Sequence, residues 1–382
     1  MKMVREEHSH CESDVKLKFA PNNSFQIELR RRVDDYLHTH GLRARDCFAM
    51  YLKSTLILTC FVAVYVLLVF VAKTGWQAVP LAVLLGFLAS GIGLNIQHDG
   101  GHKAYSKHGW INALAAMTLD MIGGSSYCWR WKHAVFHHTY VNIAGHDTDI
   151  DFGAMARLSP YQKRLPFHRW QQFYLWPLYG FMVLRWHLFG DYRDLVAGTI
   201  GAGGPRFVRP KGWDLAVFIA GKVFFITIAF VIPILFHPVW KVAVCYAIAA
   251  SVMGVTMSIV FQLAHCVEEA VFVPPPGESG RIENAWAIHQ AETTVDFARG
   301  SRVASWLLGG LNFQIEHHLL PQICNVNYPA ITKLVENTCQ EYGVKYAEHK
   351  TIWAGLVSHY RWLRAMGNPD PASRAQATQE CK

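Results

Sequence analysis

Four long apolar runs constrain the fold of this chain more than any other feature. A helix needs about 20 apolar residues to cross a bilayer core of about 30 Å. Residues 54–72 contain no charged side chain, and a second uncharged run covers residues 76–97. Only residues 73–75 separate these two runs. Because so short a turn joins antiparallel neighbours, the sequence predicts a transmembrane hairpin.

A second hairpin is predicted later in the chain. Its apolar runs cover residues 215–236 and 242–263, and residues 237–241 join them. Lys222 interrupts the first of these runs. A lysine side chain can keep its stem in the apolar layer while its charge reaches the lipid head groups. We therefore expect Lys222 to extend its ammonium group toward the membrane surface.

Two hairpins place both chain termini and the polar segment between the hairpins on one side of the membrane. That side carries 33 of the 36 Lys and Arg residues. The positive-inside rule therefore predicts that the termini and the polar segments are cytoplasmic. Residues 176–189 are apolar too, but the run is short and contains Arg185 and His187. We expect an interfacial helix there rather than a fifth span.

The predicted fold is an all-α integral membrane protein with four transmembrane helices in two hairpins. The polar segments are too long to be loops, so they are expected to form a cytosolic helical cap. The divisions are an N-terminal segment with an amphipathic helix (1–53), hairpin 1 (54–97), a first cap segment (98–212), hairpin 2 (213–263), a second cap segment (264–366) and a flexible tail (367–382).

The composition agrees with a membrane protein. Hydrophobic residues make up 52% of the chain and charged residues 17%, which excludes disordered and small disulfide-stapled classes. A net charge of +8 is compatible with nucleic acid or with an anionic membrane surface. The apolar runs favour the membrane, and no nucleic-acid partner is expected. The nine cysteines include no C-x-x-C pair and are interpreted as reduced.

Three histidine clusters lie just outside the apolar runs. The first pair is four residues apart, a spacing that places both imidazoles on one helix face. The second cluster repeats this spacing and adds an adjacent histidine that points about 100° away. The third is an adjacent pair. The seven histidines are His98, His102, His133, His137, His138, His317 and His318. Solvated histidines would be an alternative for one cluster alone, but three clusters on one membrane side predict a two-metal site.

Imidazole suits Fe, Zn, Cu or Ni, so the residues alone leave the metal open. His265 follows the fourth run at the membrane depth of His98 and is a further candidate ligand. Gln314, Gln262 and His289 are candidates for direct or water-mediated binding. Ligating histidines usually donate their other ring N–H to a carboxylate, carbonyl or water. The candidate carboxylates are Asp99, Asp147, Asp149, Asp151, Glu268 and Glu316.

The segments HDGGH (98–102), HAVFHH (133–138) and QIEHH (314–318), in this order around two hairpins, resemble the membrane fatty-acid desaturases. The glutamine that begins the third segment is similar to the front-end subgroup, and the similarity covers residues 25–346. The resemblance implies a non-haem di-iron centre, a narrow tunnel for an acyl chain, and O2 reduced with two external electrons. It also implies that the seven histidines are iron ligands and that His265 is a further one.

The chain departs from this family pattern in two places. Front-end enzymes often carry a fused cytochrome b5 domain, but residues 1–53 contain no His-Pro-Gly-Gly motif. We therefore expect a separate electron donor, such as a ferredoxin or a cytochrome b5-like protein. Three residues separate His133 from His137, a spacing that resembles the bacterial members and predicts a bacterial inner membrane. Apart from these two departures, Gln314 stands where stearoyl-CoA desaturases have histidine, so the resemblance favours a water molecule held by Gln314 as much as direct binding to iron.

The function expected from these features is O2-dependent desaturation of a fatty acyl chain carried by a lipid, CoA or carrier protein. Zinc has no redox chemistry and could not support this reaction. The tunnel wall candidates are Trp129, Trp131, Trp306 and Phe313, which could equally be core or interfacial aromatics. An acyl hydroxylase or acetylenase on the same scaffold is an alternative. A non-enzymatic histidine-rich metal-binding protein is disfavoured, because transporters place ligands near the bilayer midplane.

Overall fold

The computed structural model describes residues 17–201, 204–275 and 279–369, and most of them are helical. Two of the helices each consist of three successive segments. Helix α5 contains Ser126–Trp129, Arg130–His137 and His138–Tyr140, and helix α6 contains Gln171–Arg185, Trp186–Gly190 and Asp191–Ala197. The other helices are α1 Ser24–Thr39, α2 Phe48–Val71, α3 Gly75–Gly101, α4 Gly109–Met121, α7 Gly212–Phe236, α8 Val239–His265, α9 Trp286–Glu292, α10 Arg302–Leu307, α11 Gln314–Leu319, α12 Tyr328–Glu341 and α13 Ile352–Gly367.

The four predicted spans are confirmed as the four long apolar helices α2, α3, α7 and α8. Each helix is longer than its apolar run, because residues that flank the run on the cap side continue the helix. Helix α3 extends beyond residue 97 to Gly101, so His98 lies on the same rigid element as the span. Helix α8 likewise ends at His265. The spans therefore position two of the candidate ligands directly.

Short turns join the helices of each hairpin. In the first turn, the Gln77 side chain accepts hydrogen bonds from the backbone N–H groups of Lys73 (2.9 Å) and Thr74 (3.2 Å), which starts helix α3. Helices α3 and α8 then pack closely. A Cβ atom on Gly86 would lie 2.5 Å from the Ala249 carbonyl oxygen, so only glycine permits this approach.

The cap begins with helix α1, which is amphipathic. Its buried residues recur every fourth position, at Phe25, Leu29, Val33 and Leu37, which places them on one face. This face packs in a core cluster that includes Phe313 and residues of α9, α11 and α12. Helix α1 therefore supports the short helix that carries the third histidine cluster.

Two small parallel strand pairs accompany the helices. Strand β1 Lys18–Ala20 pairs with β2 Arg281–Ala285, and β3 Asp296–Phe297 pairs with β4 Glu348–His349. Neither pair forms a closed sheet, so the predicted all-α class is confirmed. The predicted tail, 367–382, begins at the last residue of helix α13, and residues 370–382 lie outside the described range of the chain.

The prediction that Lys222 reaches the lipid head groups is wrong. Its Nζ donates to a carboxylate oxygen of Asp191 at 2.6 Å and to the Gly123 carbonyl at 2.7 Å. Lys222 is 5% exposed and Asp191 2% exposed. Helix α6, which contains residues 176–189, is not among the helices long and apolar enough to span a membrane. Its last segment instead brings Asp191 against α7, and the paired charge stays buried.

Candidate metal centre

Four elements bring eight histidines together at the cap ends of the spans. His98 lies in the last turn of α3 and His102 directly follows that helix, while His265 is the last residue of α8. Helices α5 and α11 supply the other candidate ligands, His133, His137, His138, His317 and His318. Each of the eight residues is buried, with at most 8% of its surface exposed. Helical segments thus fix every backbone around this centre apart from that of His102.

The candidate ligand nitrogens form two neighbouring groups. Within each group, all the nitrogens lie within 4.8 Å of one another. The first group contains His98, His102, His133 and His317, and the second contains His137, His265 and His318. His138 forms a further combination with His317 and His318, so it lies between the two groups. Two adjacent sets of nitrogens suit two metal ions better than one.

The inward-facing Nε2 atoms fit metal ions. The Nε2 atoms of His98 and His133 lie 3.2 Å apart, and those of His138 and His317 lie 2.9 Å apart. The Nε2 atoms of three other histidines are buried without a hydrogen-bond partner among the described residues: His102, His137 and His318. A buried polar atom without a partner is costly. Metal ions at this position would use these nitrogens and remove that cost.

Two carboxylates fix the rings on helix α5. The Nδ1 of His137 lies 3.0 Å from an Asp147 oxygen, and the Nδ1 of His133 lies 3.1 Å from an Asp149 oxygen. Asp147 also accepts backbone N–H bonds from Asn142 and Asp149, which hold it in place. Each carboxylate therefore selects the tautomer that directs Nε2 toward the centre.

Two further residues hold the rings on helix α11. The hydroxyl group of Tyr328 lies 3.3 Å from His317 Nδ1, and the amide of Gln290 lies 2.9 Å from His318 Nδ1. Sequence reasoning missed both partners. Neither forms a motif with the histidine that it contacts, and only the packing of α9 and α12 on α11 brings them together. The position of Gln290 beside His289 was the only local signal.

Burial keeps most of these imidazoles neutral. It lowers the pKa of His102, His138, His317 and His318 well below the usual value, with further lowering from neighbouring histidines. For His137, burial acts in the same direction, but the Asp147 and Asp149 carboxylates together outweigh it and raise the pKa. A neutral imidazole is the form that binds a metal ion. Burial therefore keeps these four histidines in the form that binds metal at neutral pH.

Four of the six candidate carboxylates contact other groups instead. Asp99 accepts a bond from the Asn325 backbone N–H at 3.1 Å, and Asp151 accepts one from the Gly153 N–H at 2.8 Å. Glu316 accepts hydroxyl bonds from Thr332 and Tyr346. Glu268 lies 3.8 Å from Arg361, with its side chain 44% exposed. These carboxylates secure loops and helices of the cap rather than histidine rings.

Three other candidates differ in their distance from the centre. Gln314 Nε2 donates to His265 Nε2 at 3.0 Å, so its side chain reaches the second histidine group. Gln262 is buried and lines a cavity beside the centre. His289 is buried too, but it belongs to neither group of nitrogens, and its ring packs 5.3 Å from that of Phe19. The structure therefore brings Gln314 to the site and leaves His289 outside it.

A cavity of about 260 Å³ reaches the histidines from the side of helix α6. Its walls include Trp129, Phe261 and Met257, together with the rings of His98 and His133. Of the four aromatic residues expected to form a tunnel, Trp129 alone lines this cavity. Trp131 packs on Phe136 and Phe207, Trp306 faces the ammonium group of Lys53, and Phe313 lies in the core beneath α1.

Replacing Asp147 by asparagine is expected to lower metal affinity and activity by about 10- to 100-fold, because a neutral amide cannot raise the basicity of His137 as a carboxylate does. Bound metal per chain and product formation measure this effect. The matched control is Glu268→Gln, which removes a carboxylate without a contact to any of the eight candidate ligands and should leave both quantities unchanged. Equal losses in the two variants would contradict the role of Asp147.

Comparison with known proteins identifies the family. The family model described as fatty acid desaturase matches residues 74–350. The chain is 37% identical to an sn-1 linoleoyl-lipid 6-desaturase of Arthrospira platensis, over 95% of this chain and 98% of that protein. A protein of the same name from Synechocystis is 35% identical, over 92% and 98% of the two chains.

A third relative is matched over a smaller share of its own length. The acyl-lipid (8-3)-desaturase of Physcomitrium patens is 33% identical, over 91% of this chain and 72% of that protein. All three relatives carry desaturase names, and the family match covers all three histidine clusters. The chain therefore belongs to the fatty acid desaturase family and is an oxidoreductase that desaturates fatty acyl chains.

Proposed function

We propose that the protein inserts a double bond into a fatty acyl chain esterified to a membrane lipid, on the carboxyl side of an existing double bond. Two iron ions bound by His98, His102, His133, His137, His138, His265, His317 and His318 form its catalytic centre, and Gln314 assists directly or through a water molecule. The names of the relatives, which specify linoleoyl-lipid and acyl-lipid substrates, support the lipid carrier.

The observation that carries this proposal is the cavity of about 260 Å³ that ends at His98 and His133. Most of its wall surface is apolar, as an acyl chain requires, although about half of the lining side chains are polar or charged. Methionine residues 182 and 257 form part of its wall, and flexible thioether side chains fit irregular apolar ligands. An acyl chain in this cavity would place one carbon–carbon bond next to the two histidine groups.

The overall reaction balances with one O2. Two hydrogen atoms leave adjacent methylene groups, and O2 takes them up together with two electrons and two protons, which yields two water molecules. Bound iron would supply the redox chemistry that an unactivated methylene requires. Hydrogen bonds to Asp147 and Asp149 would hold the rings of His137 and His133 in place as ligands and increase their basicity.

The chain's own residues position the substrate and exclude water. Trp129 packs with its ring centroid 4.8 Å from that of His133 and 5.3 Å from that of His102, and this contact covers one side of the centre. Phe261 lies 5.1 Å from the ring of His137 and covers another side. Holding the reacting bond in one orientation is the main contribution that such walls make to the rate. The depth and bend of the cavity would then select the position of the double bond.

Desaturation is tested by expressing the protein in a host with defined acyl lipids and locating new double bonds by mass spectrometry. We expect a new double bond with the wild-type chain and none with His317→Ala, which removes a ring that belongs both to the first nitrogen group and to the combination with His138 and His318. His38→Ala, at an exposed position of α1, is the matched histidine control and should retain activity. A hydroxylated or triple-bonded product would favour the hydroxylase or acetylenase alternative.

The orientation proposed here places the cap and both termini in the bacterial cytoplasm, where a separate ferredoxin or cytochrome b5-like protein supplies electrons. Reporters inserted near residue 162 or fused at the C-terminus should give cytoplasmic signals, because both positions belong to the cap side of the two hairpins. Reporters in the turns at Thr74 and Pro238 should give periplasmic signals. A periplasmic signal from residue 162 would contradict this orientation.

A further inference from the structure

A second cavity lies between the two hairpins, away from the histidines of the metal centre. It encloses about 280 Å³, and its walls come mainly from α2, α3, α7 and α8. Along α8 it extends from Trp240 to Met253, which corresponds to about 20 Å at 1.5 Å per helical residue. Among the described residues, none lines both this cavity and the one that reaches the metal centre.

The mouth of this cavity carries two positive charges. Lys73, in the turn of the first hairpin, and Lys241, at the start of α8, both line it. In the described spans and turns, 48–101 and 212–265, the other lysines are Lys53 at the cap end of α2 and Lys222, which binds Asp191. The two hairpins thus each contribute one lysine to the same mouth, at the end of the spans opposite the cap.

Among the described residues that line the cavity, no carboxylate balances these lysines. The described residues that line the cavity include neither aspartate nor glutamate, and Lys73 and Lys241 are both exposed. Trp240 lies beside them, 65% exposed, with the ammonium group of Lys241 5.7 Å from the centre of its ring. Indole rings and lysines are typical of the head-group layer of a membrane. The mouth therefore presents positive charge at the level of lipid phosphates.

The interior is suited to an acyl chain. Its walls are almost entirely apolar, and several of their polar side chains are paired within the wall. His187 Nδ1 lies 3.3 Å from the Tyr246 hydroxyl group, the Tyr65 hydroxyl group donates to the Ile228 carbonyl at 2.7 Å, and His237 Nε2 lies 2.7 Å from the Val69 carbonyl. The lining residues Val79 and Val244 are 45% and 49% exposed, so the cavity opens sideways toward the surrounding lipid. One acyl chain spans half of the hydrocarbon core, about 15 Å. A cavity about 20 Å long accommodates it.

We propose that this cavity binds one anionic phospholipid from the leaflet opposite the cap. Its phosphate lies between Lys73 and Lys241, and one of its acyl chains enters the space between the hairpins. Anionic lipids are favoured over zwitterionic ones because the mouth carries two cations and no anion among its described residues. The bound lipid ties hairpin 1 to hairpin 2 without entering the substrate cavity, and it is expected to stabilise the fold rather than to react.

Lipid binding is tested by native mass spectrometry and by the melting temperature of the purified full chain in a neutral detergent. Added phosphatidylglycerol should bind and raise the melting temperature, whereas phosphatidylcholine should bind at least about 10-fold more weakly. Inorganic phosphate should have no effect, because it lacks an acyl chain. The variant Lys73→Gln/Lys241→Gln should lose the preference for phosphatidylglycerol. Lys333→Gln/Lys350→Gln, on the cap, is the matched control and should keep it.

A second variant tests the acyl site. Ala78 is half-buried and lines the cavity, so Ala78→Phe should fill the space near the mouth and weaken phosphatidylglycerol binding without altering metal content or product. Three results would overturn the proposal: equal binding of both lipids, an equal effect of inorganic phosphate, or an unchanged preference in the double lysine variant. A changed chain length of the product in Ala78→Phe would also overturn it, because the substrate itself would then occupy this cavity.

Discussion

Replacing His265 by alanine is expected to abolish desaturation and to reduce bound iron clearly below the value of about two ions per chain that two nitrogen groups predict. His265 lies in one group with His137 and His318, and Gln314 contacts its ring at 3.0 Å. Its removal leaves two histidines in that group, and a water molecule is a weak substitute for imidazole. Iron per chain and product formation, measured on the same preparation, test this prediction.

His289→Ala is the matched control, since both histidines are buried and both follow the apolar run of the fourth span. His289 belongs to neither nitrogen group, and burial lowers its pKa to about 4. We expect its variant to keep iron near the wild-type level, with activity reduced at most in part through packing against Phe19. Full iron and activity in His265→Ala, together with their loss in His289→Ala, would place the ligand on the cap rather than on the span.

The spans and the histidine groups could be predicted from the sequence because both follow short-range patterns. Hydropathy identifies a span without knowledge of its neighbours. A spacing of four residues places His98 and His102, or His133 and His137, on one side of a helix whatever the remaining chain does. Because two of the spans end beside these residues, the sequence also predicted that the histidines lie together at one end of the four helices.

The residues that contact the histidine rings could not be identified from short-range patterns in the sequence. Asp147 and Asp149 contact the rings of His137 and His133, whereas Asp99, although adjacent to His98, binds the backbone of Asn325. Neighbours in the sequence point in different directions around a helix, so Asp99 faces away from the centre. The partners Gln290 and Tyr328 come from other helices, and only the tertiary fold brings them to the site.

For the same reason, the aromatic residues around the cavity beside the histidines were predictable only in part. Trp129 precedes the second histidine cluster by one helical turn and shares its face, so it lines the cavity with His133. Trp131 lies two residues further along the helix, so its side chain points to a different side and packs on Phe207 instead. Proximity in sequence to a ligand therefore identifies a wall residue only when the helical phase agrees as well.

The buried ion pair between Lys222 and Asp191 is expected to contribute strongly to the stability of the fold. Replacing Lys222 by methionine leaves Asp191 buried without its cation, and we expect a loss of about 3–5 kcal/mol in stability, as for other broken buried ion pairs. The two side chains are 6% and 2% exposed, so solvent screens the pair little. The measurement is the melting temperature of the detergent-solubilised chain, alongside that of the wild type.

The double variant Lys222→Met/Asp191→Asn distinguishes the contribution of the ion pair to stability from the contribution of side-chain packing. Asparagine carries no charge and can still accept the indole N–H of Trp186, which donates to Asp191 at 2.7 Å, so the double variant should recover most of the lost stability.

Burial already raises the pKa of Asp191. Without Lys222 the pKa rises further, and folding then requires a proton on this carboxyl group. The single variant should therefore lose more stability at pH 8 than at pH 5. A pH-independent loss that Asp191→Asn does not relieve would show that Lys222 acts through packing alone.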